Sequence, residues 1–228
     1  MSCKSKGISI LHVDDDITFL DSAKSILEFN RGLKVTSVNS VDYALKLIDN
    51  ENFDVIVSDY EMSTKNGLQF LKILRDQGIE IPFLLFTGKG REEVAITALN
   101  LGADGYVNKF GSSKTVFGEL IHYINRAVKH KKNQIALKKS EEKYRTVVEN
   151  SDQAILVFQN GFYRFANEKA EELSGYTTKE LLSLVPLSLV HPEDIECVAK
   201  LTTKYEQLRN AGNRCPQEDS FRFITKDK

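Results

Sequence analysis

Apolar and polar positions follow two different periods along the first 126 residues. Short apolar runs near 8–13, 34–38, 54–58, 82–87 and 105–108 read as buried strands. Between them apolar residues recur three and four positions apart, the helical period. Ile17, Leu20, Ala23, Ile26 and Leu27 form one such stripe, and Val41, Ala44, Leu45 and Ile48 another. Helices are therefore expected near 17–30, 40–50, 66–76, 91–101 and from 114 onward. Five strand–helix repeats with short connections predict an α/β fold, a doubly wound five-stranded parallel sheet.

The last of these helices has no stop signal where a domain would close. From Thr115 to about Asn150 there is no Pro, and the only Gly is Gly118. Phe117, Leu120, Ile121, Ile124 and Val128 make an apolar stripe that Ile135 continues, but Lys131 and Lys138 interrupt a strict heptad. Two readings stay open: a domain helix fused to a polar linker, or one continuous signalling helix with a partial coiled-coil seam. After Tyr144 the texture changes. Ala154–Phe158 and Phe162–Ala166 read as strands joined at Asn160-Gly161, a strong hairpin signal. Asn167 then opens a short helix that Gly175 ends.

Charge adds a partition to this picture. Residues 127–150 carry seven basic and three acidic side chains, between two mildly acidic stretches. A short basic segment of this kind is a solvated linker face, and neither a helix-turn-helix nor interleaved aromatics suggest nucleic-acid binding. No run of about 18 apolar residues exists to span a membrane, and no secretory signal opens the sequence. Cys3, Cys197 and Cys215 lack metal-ligand spacing and read as free thiols of a cytoplasmic protein.

Chemistry collects where the apolar runs end. The first ends in Asp14-Asp15-Asp16, the third in Asp59, the fourth in Thr87-Gly88 and the fifth in Lys109. In an open parallel sheet such ends lie side by side. Crowded carboxylates repel one another unless a cation joins them, so the cluster predicts Mg2+. A cation, an ammonium and a hydroxyl around one carboxylate suit phosphoryl transfer to that carboxylate.

Residues 6–126 resemble the receiver domain of two-component response regulators. Val13-Asp14-Asp15 is similar to the family's acidic pair, and Asp59-Tyr60-Glu61-Met62 with Asn66-Gly67 to its phosphoacceptor motif and loop. Phe86-Thr87-Gly88 carries its hydroxyl residue, and Gly102 to Lys109 its aromatic, Tyr106, and its lysine. The resemblance implies a flavodoxin-like sheet of order 2-1-3-4-5. It implies Asp59 as the acceptor of a phosphoryl group from a histidine kinase, with Thr87 and Lys109 assisting and Thr87 and Tyr106 switching. It implies Mg2+ held by Asp14, Asp15, Asp59 and the backbone carbonyl of Glu61. Asp16 is expected to cap the first helix. Ser63 and Phe110 stand where the family usually has Pro, and a cis bond before Phe would cost about 2.5–4 kcal/mol. The shape of the loop after Lys109 is thus open. Glu61 and Lys89 read either as a charged pair across the mouth of the site or as two unrelated surface charges. His12 is expected to be a packed core histidine.

The region from Tyr144 to Lys228 resembles a PAS domain, an α+β fold around an antiparallel sheet. Tyr144–Ser151 is similar to its entry helix. Phe165–Asn167, Leu173–Tyr176, Lys179–Leu182 and His191–Asp194 follow its pattern, and Phe221–Lys228 would be its third strand. Two further strands would be needed, so the chain reads as cut inside this domain. His191 sits in a turn rather than on a haem-binding helix, and Cys197 lacks a flavin-adduct motif, so no PAS cofactor is expected. The expected organisation is a receiver over 1–126, a helical linker over 127–143 and an incomplete PAS domain over 144–228. The expected role is phosphorelay signalling, with a histidine kinase as phosphodonor and a homodimer formed through the long helix. The chain has no kinase ATP-binding motif; the alternatives are the amino-terminal fragment of a hybrid histidine kinase and a phosphorylation-independent dimerisation scaffold.

Overall fold

The computed structural model describes residues 7–88, 92–159, 161–185, 187–210 and 220–226, without the side chains of 206 and 208–210. The chain divides into two compact units, 1–137 and 138–228. In the first, strands and helices alternate: β1 (Ile8–Val13), α1 (Ile17–Phe29), β2 (Leu33–Val38), α2 (Val41–Ile48) and β3 (Val55–Ser58). They continue with α3 (Gly67–Asp76), β4 (Phe83–Thr87), α4 (Glu92–Asn100), β5 (Gly105–Asn108) and α5 (Ser113–Glu149). The strands pair in parallel in the order β2-β1-β3-β4-β5, as the resemblance implies.

Both faces of this sheet are covered, which is why its strands are apolar runs rather than alternating ones. Ile10, Leu84, Phe86 and Val107 pack with Leu27, Leu120 and Ile124 on one face. Leu11, Val13, Ile56, Phe83 and Leu85 pack with Phe70, Leu71 and Leu74 on the other. Burying each such side chain stabilises the fold by about 1.5–3 kcal/mol relative to leaving it in water. The stripe read for α1 is narrower than expected. Leu20, Ala23 and Leu27 are buried, but Ile17 is 58% exposed and Ile26 stands at the surface. Asp16 caps α1 as expected, its carboxylate accepting from the Thr18 and Phe19 backbone N–H groups.

α5 is one unbroken helix. Val116, Phe117, Leu120, Ile124, Ala127 and Val128 are buried, and from there on Ile135, Leu137, Tyr144 and Val147 are exposed. Near the change Lys131 pairs with Glu80 at 2.7 Å.

The second unit begins with an antiparallel hairpin, β6 (Leu156–Gln159) and β7 (Phe162–Ala166). Asn160 lies outside the described residues; Gly161 takes the left-handed backbone, φ 81°, that glycine favours. Asn167 ties the hairpin to the helices on either side of it. Its Oδ1 accepts from Ile155 and Ala170 N–H, and its Nδ2 donates to the carbonyls of Val148 and Gln153. It thereby caps α6 (Glu168–Ser174), which ends at left-handed Gly175. A capping box between Thr177 and Glu180 starts α7 (Thr178–Ser183). A 3-10 turn, Pro192–Asp194, leads into α8 (Ile195–Asn210), which is not among the expected helices.

The expected third strand is not part of the hairpin sheet. Phe223 makes one isolated antiparallel bridge, to Val190. His191 and Ile224 N–H extend it by donating to the carbonyls of Arg222 and Leu189. Side chains hold the segment there. Arg222 pairs bidentately with Asp194 at 2.7 and 3.0 Å and meets Glu193 at 2.8 Å, and Lys226 pairs with Glu180 at 2.7 Å. Asp227 and Lys228 lie outside the described residues.

Candidate functional site

Parallel register aligns the strand ends. Val13 of β1 stands beside Ser58 of β3, and Thr87 of β4 beside Asn108 of β5. Asp59 N–H donates to the Val13 carbonyl and Lys109 N–H to that of Thr87, so the ladder continues to the residue that carries each functional side chain.

Lys109 joins two carboxylates from two strands. Its ammonium donates to Asp14 Oδ2 at 2.6 Å and stands 2.9 Å from Asp59 Oδ1. Asp14, Asp59 and Thr87 are all buried. Asp14 Oδ1 also accepts from Asp16 N–H at 3.0 Å, and Asp59 Oδ2 from Glu61 N–H at 3.1 Å. Asp59 Oδ1 is held at ion-pair distance, 2.9 Å, by the same ammonium that donates to Asp14, and a lysine ammonium has three N–H donors to share. Burial pushes the Asp59 carboxyl above the usual carboxylate range; Lys109 opposes the rise and the Asp14 charge adds to it.

The loop after Asp59 has a backbone reason for its shape. Gly67 N–H donates to the Tyr60 carbonyl at 3.0 Å, and Asn66 with Gln69 forms a capping box that starts α3. A Cβ at Gly67 would lie 2.3 Å from the Asp59 carbonyl oxygen, so only glycine lets α3 begin this close behind Asp59. Asp15 is exposed; its Oδ2 accepts from Ser63 N–H at 2.9 Å and so ties the acidic loop to this one. Past β5, Phe110 N–H donates to Asn108 Oδ1, the Lys109–Phe110 peptide is trans, and the Phe110 side chain is exposed.

Tyr106 is partly buried against the Leu11–Leu85 side of the core, and burial pushes its hydroxyl up. Lys89, the expected partner of Glu61, lies outside the described residues. His12 is wholly buried, and neither ring nitrogen has a hydrogen-bond partner. Burial, with the Lys109 charge nearby, lowers its pKa to about 3, so it packs as a neutral ring. One contact was not anticipated: Lys109 Nζ sits 4.4 Å from the centroid of the Phe19 ring. Phe19 falls off the apolar stripe read for α1, and no sequence period encodes a contact with a lysine 90 positions away.

The site is made of oxygen donors with an excess of negative charge: Asp14, Asp15 and Asp59 against Lys109. That composition fits a hard dication. Among the described residues no three Asp, Glu, His or Cys side chains stand together as a ligating group. A cation here would draw on main-chain carbonyl and water oxygens as well as on these carboxylates.

In the second unit His191 Nδ1 accepts from Glu193 N–H and so starts the 3-10 turn, and Cys197 is exposed. Leu156, Phe158, Tyr163, Val198, Phe221 and Phe223 line a largely apolar cavity of about 260 Å³. Among the described residues no helix is long and apolar enough to cross a membrane.

Residues 10–120 match the family model of the response regulator receiver domain, and residues 142–209 that of the PAS domain. The response regulator SaeR of Staphylococcus aureus (strain USA300) is 36% identical over 121 residues, 53% of this chain and 52% of that protein. The chain thus spans about half the length of the curated relatives it matches. The receiver domain of the Francisella response regulator 1452 superposes with a TM-score of 0.50 at 34% identity, over 55% of this chain and 99% of that one. A receiver domain protein from Clostridium thermocellum gives a TM-score of 0.50 at 28% identity, over 56% of this chain and 98% of that one. Residues 10–120 are a response regulator receiver domain, and residues 142–209 are a PAS domain.

Proposed function

We propose that this chain is a phosphorelay receiver in which Asp59 takes a phosphoryl group from the phosphohistidine of a histidine kinase. The observation that carries this reading is the Lys109 ammonium held against Asp14 and Asp59 at 2.6 and 2.9 Å, at the aligned ends of three strands. In the step an Asp59 carboxylate oxygen bonds to phosphorus as the P–N bond breaks. The bonding pair returns to the imidazole nitrogen, and an acyl phosphate results. The Glu61 N–H fixes the carboxylate through Oδ2. Lys109 is already in place to meet the charge of the arriving phosphoryl oxygens without reorganising. Asp14 and Asp15, with Asp59 and the Glu61 carbonyl, would hold Mg2+. When bound, that ion would neutralise phosphoryl charge. Thr87 would then hydrogen-bond a phosphoryl oxygen and Tyr106 turn further inward.

In this reading the protein works in the cytoplasm and α5 carries the change to the PAS domain. The exposed Ile135, Leu137, Tyr144 and Val147 support a homodimer formed along that helix. A monomeric mass by light scattering at high concentration, with and without beryllofluoride, would count against the dimer. The acceptor assignment is tested with beryllofluoride and Mg2+, followed by 19F NMR. Bound-fluoride resonances are expected in the parent chain and absent from Asp59→Asn; their persistence in that variant would overturn the assignment.

A further inference from the structure

The ammonium that meets Asp14 and Asp59 also rests on aromatic faces. Lys109 Nζ stands 4.4 Å from the Phe19 ring centroid and 5.5 Å from that of Phe86. These rings belong to one cluster. Phe19 lies 5.8 Å from Phe86 and 6.3 Å from Phe117, and the His12 ring 6.1 Å from Phe19. Phe86 is wholly buried in β4, where it serves the core whatever else it does. Phe19 is different. It is only partly buried, in the first turn of α1, and its backbone N–H is fixed at 3.1 Å from the capping carboxylate of Asp16. The third acid of the run thus sets the ring on which the lysine lies. A cation over a ring face is attracted by the ring's quadrupole, more strongly when partly withdrawn from water, and the Lys109 side chain is only 18% exposed.

We propose that Phe19 is a positioning residue for Lys109, its ring face holding the ammonium beside the Asp59 carboxylate. The proposal rests on the phosphoacceptor reading above. Plain core packing is the competing account, and it asks only for an apolar side chain of similar volume. Leu supplies that volume without a ring face, and Tyr keeps the face.

The test uses the full chain with Mg2+ and acetyl phosphate, in Phe19→Leu, Phe19→Tyr and Asp59→Asn. Phe19→Met replaces Phe19→Leu should the latter not fold. Two quantities are read: the NMR shift of the Lys109 ε-methylene, which a ring face displaces, and the dependence of phosphorylation rate on acetyl phosphate concentration. Phe19→Leu is expected to return the Lys109 resonance toward that of an exposed lysine. It should lower the maximal rate roughly three- to tenfold, with half-saturation little changed. Phe19→Tyr should restore both. An unmoved resonance or an unchanged rate in Phe19→Leu, or no recovery in Phe19→Tyr, would overturn the proposal. Phosphorylation surviving in Asp59→Asn strikes the acceptor reading instead, while the lysine resonance still judges what Phe19 holds.

Discussion

Lys109 and Asp14 form a 2.6 Å ion pair between the end of β5 and the end of β1, with side chains 18% and 3% exposed. Removing one partner of a pair this deep leaves the other charge without compensation, and here it leaves Asp59 uncompensated too. Lys109→Met should therefore lower unfolding free energy at pH 7 by about 3 kcal/mol. Urea unfolding measures it. Under the proposed role the same change slows phosphorylation about a hundredfold. A variant as stable as the parent would mean that the pair contributes little.

Asp59 behaves in the opposite sense. Its folded-state pKa is raised, chiefly by burial, so the folded chain holds that proton more tightly than the unfolded one. The favourable contribution is complete below the unfolded pKa and disappears as pH rises through the folded value. At pH 7 the buried charge is a net burden. Asp59→Asn should shift the urea midpoint upward at pH 7 and lose that advantage near pH 3. A downward shift at pH 7 would show that the Lys109 attraction outweighs desolvation.

His12 gives the fold an acid sensitivity. Its pKa falls from 6.5 to about 3 on folding. Between those values the unfolded chain binds one more proton than the folded chain. Stability drops by about 1.4 kcal/mol for each pH unit of acidification from this group alone. His12→Leu, similar in volume and uncharged, should flatten the stability–pH curve between pH 6 and 4 relative to the parent. Parallel curves for the two proteins would contradict a neutral buried imidazole.

Gly67 can be tested without touching any charged group. An added methyl would sit 2.3 Å from the Asp59 carbonyl oxygen and 2.7 Å from Leu85 Cδ1. One contact is backbone, which cannot swing away. Gly67→Ala should destabilise by about 1–3 kcal/mol and slow phosphorylation by displacing Asp59. Thermal unfolding and acetyl phosphate kinetics check the two halves; wild-type values for both would show that α3 moves without cost.

The five strands were legible because a sheet buried on both faces leaves continuous apolar runs; their order was implied by the resemblance to the receiver family, and register then brings the run ends together. Asp14, Asp59 and Lys109 meet for that reason. What the sequence concealed was contact geometry. Ile17 and Ile26 fit a helical stripe, yet only Leu20, Ala23 and Leu27 reach the core, because periodicity gives a direction and not the width of the neighbour. Phe19 lay outside the stripe and found its role through tertiary contact with Lys109. Phe221–Lys228 had the look of a strand, but in the described part, 221–226, Arg222 binds Asp194 and Glu193 and holds the segment beside Val190. α8 went unread although Ile195, Val198, Leu201 and Tyr205 recur at helical spacing.

Under the proposed function the carboxylate of Asp59 becomes the acyl phosphate. Reduction with borohydride after treatment with acetyl phosphate and Mg2+ converts a phosphorylated aspartate to homoserine, and peptide mass spectrometry locates the change. Homoserine is expected at position 59 and at no other aspartate, including Asp14 and Asp15. Homoserine at another position, or none under conditions where a kinase or acetyl phosphate transfers label to the protein, would contradict the assignment.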